Sequence, residues 1–262
     1  MLKRLLLCIY LLGAAAPASA INYTDLWYLA TEAGWGVNVV QSDTFMFVTF
    51  FIYGPDKKPI WYSGQLFQDS KGNFNGSLYT TTGTFYGTSP WNPADQVTGA
   101  VGTVSFQPTS PTTAKLTYTV TTPAALAATV TKTIQRQTLT PITIGGTYVG
   151  SQSGAYSACT SNSNNTTYTD AFGLLVTQTT GGSVTFQFTY ASGLSCTFTG
   201  TLTQTGQLYN VTTANYSCSD GLSTTASISE LRATSLGIEG RFGAASVGGG
   251  CREDAVFGGP LK

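Results

Sequence analysis

The chain has 262 residues, twelve basic and twelve acidic side chains, and no histidine. Its charged fraction is 9%, far below the roughly 25% of ordinary soluble domains. This excludes a strongly basic surface for nucleic acid or anionic lipid. The absence of histidine excludes Ser-His-Asp and Cys-His catalysis and His-ligated zinc.

The first twenty residues have the pattern of a secretory signal peptide. Lys3 and Arg4 precede an apolar run over 5–16, and Ala18-Ser19-Ala20 forms a small-residue cleavage site. The run is too short to cross a bilayer as a helix, and no later run is long enough, so we expect no transmembrane anchor. Cleavage after Ala20 would leave 242 of the 262 residues, with ten basic and twelve acidic side chains, in the periplasm or outside the cell.

Short strands separated by Gly, Asn, Asp and Pro are predicted throughout the first half. They cover 23–30, 35–41, 44–53, 59–68, 73–80, 82–88, 99–107, 113–121 and 129–138. The alanine-rich stretch 124–128 follows Pro123 and precedes β-branched residues, which favours a hairpin connection or a single helical turn. No segment has helical periodicity over three turns.

Strand 44–53, with the sequence TFMFVTFFIY, is apolar on both of its faces. A barrel wall with one wet face should instead alternate between apolar and polar residues. We therefore expect this strand to be covered outside as well as inside. Packing against the second half of the chain or against its own N-terminus is the favoured explanation, and a surface that binds a partner is the alternative.

Nine residues, most of them in the aromatic N-terminal segment, are candidate ligand-binding residues. They are Trp27, Glu32, Trp35, Asn38, Gln41, Tyr53, Trp61, Tyr62 and Trp91. Tryptophan walls with a few amide and carboxylate groups could hold a sugar or a small planar ligand. Simple core packing of these aromatic rings is the favoured explanation.

The segment 139–143 is the predicted boundary, because tryptophan disappears and cysteines appear beyond it. The predicted division is a signal peptide at 1–20, an aromatic-rich module at 21–140 and a disulfide-stabilised module at 141–262. Strands in the second module are predicted at 144–150, 168–178, 183–191, 194–204, 207–218, 223–233, 236–244 and 251–258. The fold class is all-β, with two small antiparallel up-and-down barrels of calycin-like form, or two sandwiches, in tandem.

Four cysteines remain after the predicted cleavage, since Cys8 lies in the signal peptide. Cys196 and Cys218 lie symmetrically about Gly206-Gln207, so they should face each other across a hairpin. Cys159 lies near the first strand of its module and Cys251 near the last, and these strands are neighbours in a closed barrel. We predict the disulfides Cys196–Cys218 and Cys159–Cys251. No CxxC spacing favours a metal site.

Three segments resemble a motif of a poorly characterised family of exported proteobacterial β-proteins. They are GWGVNVVQ, the aromatic strand Phe45–Tyr53 and PIWY. Asp25 stands where that family usually has glycine. The second module, with CTFTGTLTQTGQL, NYSCSDG and the final GC…FGG, is similar to a four-cysteine barrel seen with such proteins. The resemblance implies export and a β-fold but no chemistry. A slighter likeness to lipocalin and avidin barrels rests on a tryptophan near the first strand.

Catalysis could use only carboxylates or an activated Ser, Thr, Tyr or Lys. Asp25 and Glu32 form the one pair worth considering for glycoside hydrolysis. The triplet Arg252-Glu253-Asp254 is predicted to be an exposed turn. No phosphate loop, dinucleotide fingerprint or serine elbow occurs. We therefore expect no enzyme, no cofactor and no bound metal.

The leading hypothesis is an exported, non-catalytic protein that binds a macromolecule or a glycan at the cell envelope or outside the cell. One alternative is a carrier of a small apolar or aromatic ligand inside the first barrel. That alternative requires a void lined by Trp27, Trp35, Trp61 and Tyr53. Another is an inhibitor of an extracellular hydrolase, which requires a rigid protruding loop such as 89–96 or 160–167.

Overall fold

A computed structural model describes residues 21–139 and 143–262. The predicted signal peptide and most of the predicted boundary therefore lie outside the described residues, and both remain predictions. The described chain is all-β, apart from four three-residue 3-10 turns. It forms two barrels in tandem, which confirms the predicted fold class. No helix among the described residues has the length and apolar character needed to cross a membrane.

The first barrel is a closed up-and-down barrel of eight consecutive antiparallel strands, in which β8 closes onto β1. The strands are β1 Asp25–Tyr28, β2 Gly36–Ser42, β3 Phe45–Tyr53, β4 Pro59–Gln68, β5 Phe74–Thr82, β6 Val97–Pro108, β7 Thr113–Val120 and β8 Ala128–Arg136. The predicted connection near Ala124 is a 3-10 turn over Ala124–Leu126.

The second barrel is also built from consecutive antiparallel hairpins, with one additional short strand. Its strands are β9 Gly146–Ser157, β10 Thr166–Gln178, β11 Ser183–Tyr190, β12 Ser195–Thr201, β13 Thr203–Thr205, β14 Leu208–Cys218, β15 Ser223–Ala233, β16 Gly237–Val247 and β17 Cys251–Pro260. β9 pairs with β17, and β12 pairs with β14 to close the ring. β13 extends the β14 hairpin beyond the wall.

One predicted strand, 82–88, is wrong. β5 continues through Thr82, and residues 83–96 form a loop instead of a separate strand. Threonine and aromatic residues in this stretch have high strand propensity, but Gly83, Gly87 and Pro90 interrupt pairing. Strand β9 also runs seven residues further than predicted, to Ser157, because it pairs with β10 in an extended hairpin.

Both predicted disulfides are confirmed. Cys196 and Cys218 are register partners across β12 and β14. Cys159 follows β9, Cys251 begins β17, and the two are bonded across these neighbouring strands. Closure of the barrel brings the first and last strands of the second half together, which is why a separation of 92 residues can be bridged.

The two ends of the first barrel differ. At one end, which we call the docked end, Asp25 Oδ2 accepts the backbone N–H of Gln207 at 2.9 Å and pairs with Arg136 Nη1 at 3.1 Å. The N–H of Gly206 donates to Thr138 Oγ1 at 2.9 Å. The β13–β14 turn of the second barrel therefore sits directly on this end. The opposite end, the free end, carries the loops 29–35, 54–58, 83–96 and 121–127.

Candidate functional site

The nine predicted site residues do not form one pocket. Trp27 is fully buried inside the first barrel, where its Nε1–H donates to the carbonyl of Tyr23 at 3.0 Å. Its ring lies 5.0 Å from that of Phe106 in an edge-on contact. Tyr62 is also buried, whereas the side chains of Tyr53 and Trp61 are 58% and 50% exposed on the outer wall. Core packing therefore accounts for the positions of only some of the nine candidate residues.

The interior of the first barrel is filled by apolar and aromatic side chains. These include Trp27, Val39, Met46, Val48, Phe50, Leu66, Phe74, Leu78, Val104, Phe106, Leu116 and Ile134. A central void lined by Trp27, Trp35, Trp61 and Tyr53 does not exist in the described barrel, because Trp27 points inward and Trp61 and Tyr53 point outward. The carrier hypothesis with a ligand at the barrel centre is thus wrong. A cleft of about 360 Å³ opens at the free end, lined by Ile52, Tyr62, Tyr118 and Leu126 among others.

An aromatic face runs along the outside of β2, β3 and β4. We define it as Val40, Phe45, Phe47, Phe51, Tyr53, Trp61 and Phe67. Phe51, Tyr53, Trp61 and Phe67 are each at least half exposed. The favoured expectation, that this side of strand 44–53 is covered, is wrong for the described residues. The second barrel docks on the end of the first barrel instead of on its wall.

Strand register organises the aromatic face. Phe51 lies opposite Trp61 on the neighbouring strand, and the rings of Phe45 and Phe67 contact each other at 5.4 Å between centroids. Side chains on one face of a strand recur every two residues at about 3.4 Å per residue, so Phe45 to Tyr53 spans roughly 27 Å. The face is therefore an elongated strip that runs the length of β3.

The polar groups within this strip are hydroxyls and amides. Thr49 and Ser63 are register partners between the aromatic pairs, with Asn38 beside Thr49 and Gln65 beside Phe47. Gln41 has a structural role, since its side chain accepts the N–H of Tyr23 at 2.8 Å and donates to the carbonyl of Asp43 at 2.9 Å.

Strands β2 to β5 contain no Asp, Glu, Lys or Arg at all. The charged residues of this region lie in the connecting turns, at Asp43, Asp56, Lys57, Lys58, Asp69 and Lys71. The aromatic face thus presents aromatic rings, hydroxyls and amides, and the strands that carry it have no charged side chain. Such a surface neither attracts nor repels ions strongly.

The loop 83–96 adds three exposed aromatic side chains at the free end. Phe85, Tyr86 and Trp91 are 66%, 87% and 57% exposed. The loop is braced internally, because Asn92 Nδ2 donates to Asp95 Oδ1 at 2.8 Å and Thr84 Oγ1 donates to Asp95 Oδ2 at 2.8 Å. Trp91 is therefore carried by an ordered loop and lies away from Trp27.

The candidate carboxylate pair is divided between the two ends of the first barrel. Asp25 begins β1 at the docked end, while Glu32 lies beyond the other end of β1. Glu32 accepts Lys132 Nζ at 2.6 Å and Trp35 Nε1 at 3.1 Å, and the Lys132 hydrogen bond lowers the pKa of Glu32. Each carboxylate has its own cation, and β1 alone separates them by about 10 Å. They do not form a glycosidase pair.

Sequence reasoning missed a buried carboxylate in the second barrel. Glu253 was expected in an exposed turn, but it lies on β17 and only 5% of it is exposed. It alternates with Cys251, Ala255 and Phe257, which share the inner face of the strand. That two-residue alternation was the signal that could have found it. No group of three or more Cys, Asp or Glu within 21–139 and 143–262 could hold a metal ion.

No family model matches the chain, and no curated protein matches it in sequence. Among solved structures, it is similar to a "putative outer membrane protein" from Bacteroides fragilis, with 15% identity, 90% of this chain and 94% of that chain covered, and a TM-score of 0.32. It is also similar to transferrin binding protein B from Haemophilus parasuis, in a double-mutant form, with 10% identity and a TM-score of 0.33. That match covers 87% of this chain and 60% of the other. TM-scores this low carry no argument about function.

Proposed function

We propose that this protein is an exported, non-catalytic binding protein that holds a neutral glycan chain along the aromatic face. The observation that supports this most directly is the exposed strip of aromatic side chains on strands that contain no charged residue. Solvent-exposed apolar strips of this kind are uncommon unless they bind something.

The chemistry of the strip matches the two faces of a sugar. The C–H face of a pyranose ring packs on an aromatic ring such as Trp61 or Tyr53, and its hydroxyls exchange hydrogen bonds with groups such as Ser63 and Gln65. A neutral glycan needs no ionic partner, and strands β2 to β5 offer none. The length of roughly 27 Å suits an extended polymer, since a small ligand could touch only part of it.

Export is the second part of the proposal. The signal-like N-terminus supports it, and so do the two disulfides, which persist in oxidising compartments such as the periplasm and the cell exterior. The resemblance to exported proteobacterial β-proteins points the same way. We place the protein in the periplasm or outside the cell, where glycans of the envelope and of host surfaces are found.

A glycan array probed with the mature protein tests the proposal. We expect binding to one class of neutral oligosaccharide, with an affinity that falls about tenfold or more in Trp61→Ala and Phe51→Ala, because each ring contributes buried contact area. Leu175→Ala is the matched control, since Leu175 is an exposed apolar residue on the second barrel and should leave affinity unchanged. Absence of binding, or equal binding by Trp61→Ala, would contradict the proposal.

A second candidate function, inhibition of an extracellular hydrolase, is favoured by the braced loop 83–96. Interface hot spots are enriched in Trp and Tyr, and this loop presents Trp91 and Tyr86 on an ordered backbone. Inhibition assays against a panel of secreted proteases and glycosidases test it. Potency that is lost in Trp91→Ala but kept in Trp61→Ala would favour the inhibitor over the glycan-binding protein.

A further inference from the structure

The described residues contain two buried carboxylates, and only one of them has a protein cation. Asp25 pairs with Arg136, whose side chain is fully buried. Glu253 is equally withdrawn from water, but it makes no ion pair within 21–139 and 143–262. A buried charge without a partner is strongly unfavourable. In the first barrel a buried carboxylate is neutralised by an arginine, whereas Glu253 in the second barrel has no such cation among the described residues.

Tyrosine side chains surround Glu253. The hydroxyl of Tyr168 donates to Glu253 Oε1, and the ring of Tyr156 stacks on that of Tyr168 with centroids 4.9 Å apart. Tyr190 donates its hydroxyl to Gln152 Oε1 at 3.2 Å, and Tyr216 is hydrogen-bonded to Tyr190. Tyr156, Tyr168 and Tyr190 are only partly buried, so the tyrosine cluster extends from the carboxylate to the surface.

This cluster occupies the end of the second barrel remote from the first barrel. Cys218 and Tyr216 lie at one end of β14, and the Gly206–Gln207 turn that contacts Asp25 precedes its other end. Both disulfides are at the cluster's end, because Cys251 lies two residues before Glu253 and Cys196 is the partner of Cys218. The two disulfides therefore link the strands next to the tyrosine cluster covalently.

The electrostatic surroundings of Glu253 are acidic. Asp170 and Asp254 both raise its pKa through their charges, after burial, which is the largest cause. The arginines on β17 and on the neighbouring strand β16 pair with other carboxylates: Arg252 pairs with Asp254 on the outer face, and Arg241 pairs with Glu230. Burial also raises the pKa of Tyr156 to about 12, so this phenol is neutral at physiological pH.

We propose that this end of the second barrel binds an organic ammonium ion, with Glu253 as its counter-ion and the tyrosine rings as its walls. A protonated amine can interact with both the Glu253 carboxylate and the tyrosine rings. Its N–H groups donate to a carboxylate in a charge-assisted hydrogen bond, and its positive charge is attracted to the faces of aromatic rings. Tyr168 occupies one of the carboxylate's lone-pair positions and leaves others for the ligand. The ligand would be the cation that the protein itself does not supply.

Calorimetric titration of the full-length mature protein with 2-phenylethylammonium chloride tests this, and 2-phenylethanol serves as the neutral isostere. We expect saturable binding of the amine, no binding of the alcohol, and an affinity lowered about tenfold or more in Glu253→Gln, which keeps an acceptor for Tyr168 but removes the charge. Glu239→Gln is the matched control, because it makes the same substitution at an exposed position of β16, opposite Gly258 and well along the barrel from Glu253, and should leave the affinity nearly unchanged.

Circular dichroism of each variant establishes that both barrels are folded before the titrations are compared. Failure of the wild-type protein to bind the amine would overturn the proposal, as would equal affinity in Glu253→Gln. In either case Glu253 is a structural group hydrogen-bonded to Tyr168 and not a ligand-binding one. The amine site is independent of the glycan proposal: Trp61→Ala should bind 2-phenylethylammonium as the wild type does, whatever the glycan array shows.

Discussion

At the scale of single residues, the surroundings of a carboxylate determine what it contributes. Asp25 lies against a guanidinium that also donates to backbone carbonyls of Pro111, Thr24 and Asn22. Glu253 lies among phenols and other carboxylates. A buried ion pair is stabilising only while both partners remain, whereas an unpaired buried carboxyl favours its protonated form. The two sites should therefore respond in opposite ways to loss of charge.

Arg136→Met should destabilise the first barrel by about 3–5 kcal/mol, because it leaves the Asp25 carboxylate buried without its cation. Urea unfolding followed by tryptophan emission measures this selectively, since all four tryptophans lie between positions 27 and 91. Lys58→Met is the control: its pair with Asp56 lies in an exposed turn of the same barrel and should change stability by no more than about 1 kcal/mol. Equal effects of the two substitutions would contradict the structural role of Arg136.

Glu253 should make the second barrel less stable as pH rises. Burial raises its folded pKa above the unfolded value, so the folded state holds its proton more tightly. The free energy of unfolding then falls from the ordinary glutamate pKa up to the folded pKa and is level beyond it. Carboxylates with lowered pKa values, such as Asp254, have the opposite trend and lose their stabilising contribution as pH falls.

The difference between the wild-type protein and Glu253→Gln isolates the contribution of Glu253. We expect the variant to gain stability relative to the wild type as pH increases through this window, measured by urea unfolding with tyrosine near-UV circular dichroism and without added amine. A difference that does not vary with pH would show that Glu253 titrates as it does in the unfolded chain.

At the scale of elements, the β13–β14 hairpin joins the two barrels. Gly206 has a φ of +64°, and a Cβ there would lie 2.4 Å from Asp25 Oδ2 and 2.5 Å from Arg136 Cβ. The turn thus requires glycine both for its backbone conformation and for its close approach to the ion pair. A side chain at the tip of this turn would therefore press against the Asp25–Arg136 pair.

Gly206→Ala should weaken the docking of the two barrels by more than backbone strain alone explains. Gly221→Ala is the matched control, since Gly221 also has a positive φ, +96°, in a turn of the same barrel, but no atom lies within 4 Å of its Cβ position. We expect Gly206→Ala to lower the tryptophan-detected urea midpoint, and Gly221→Ala to leave it unchanged. A shift in neither variant would mean that the hairpin does not stabilise the first barrel.

The elements that were predicted correctly have local signals. Alternation and turn residues identify most strands, and the symmetry of Cys196 and Cys218 about Gly206-Gln207 identifies their register. The loop 83–96 was missed in part because Thr80–Thr82 and Phe85-Tyr86 have strand propensity, and only pairing decides between strand and loop. The sequence shows that strand 44–53 is apolar on both faces, but its exposure depends on where the second barrel docks, which no local pattern specifies.

At the scale of the whole molecule, two barrels of similar topology are stabilised by different means. The first has no disulfide in the described residues and combines a packed aromatic interior with the Asp25–Arg136 pair. The second has a larger apolar core and two disulfides. The proposed glycan strip lies on the first barrel and the proposed amine site on the second, at the end remote from the first. Among the described residues, the contacts at the docked end that could carry a perturbation from one barrel to the other include the hairpin turn and the hydrogen bond from Arg232 to the carbonyl of Asn22.

Removal of each disulfide by substitution tests whether the two barrels unfold independently. In the chain-entropy description, Cys159–Cys251 and Cys196–Cys218 stabilise by about 4.5 and 3.5 kcal/mol, because the longer loop restricts the unfolded chain more. We expect the Cys159→Ala/Cys251→Ala variant to lose more stability than Cys196→Ala/Cys218→Ala, as measured by hydrogen exchange of the β9 to β17 backbone amides in urea. The tryptophan-detected midpoint should move much less in both variants, since both disulfides lie at the end of the second barrel remote from the first. If the two signals fell together, the barrels would unfold as one cooperative unit and the separation of the two sites would not extend to their stability.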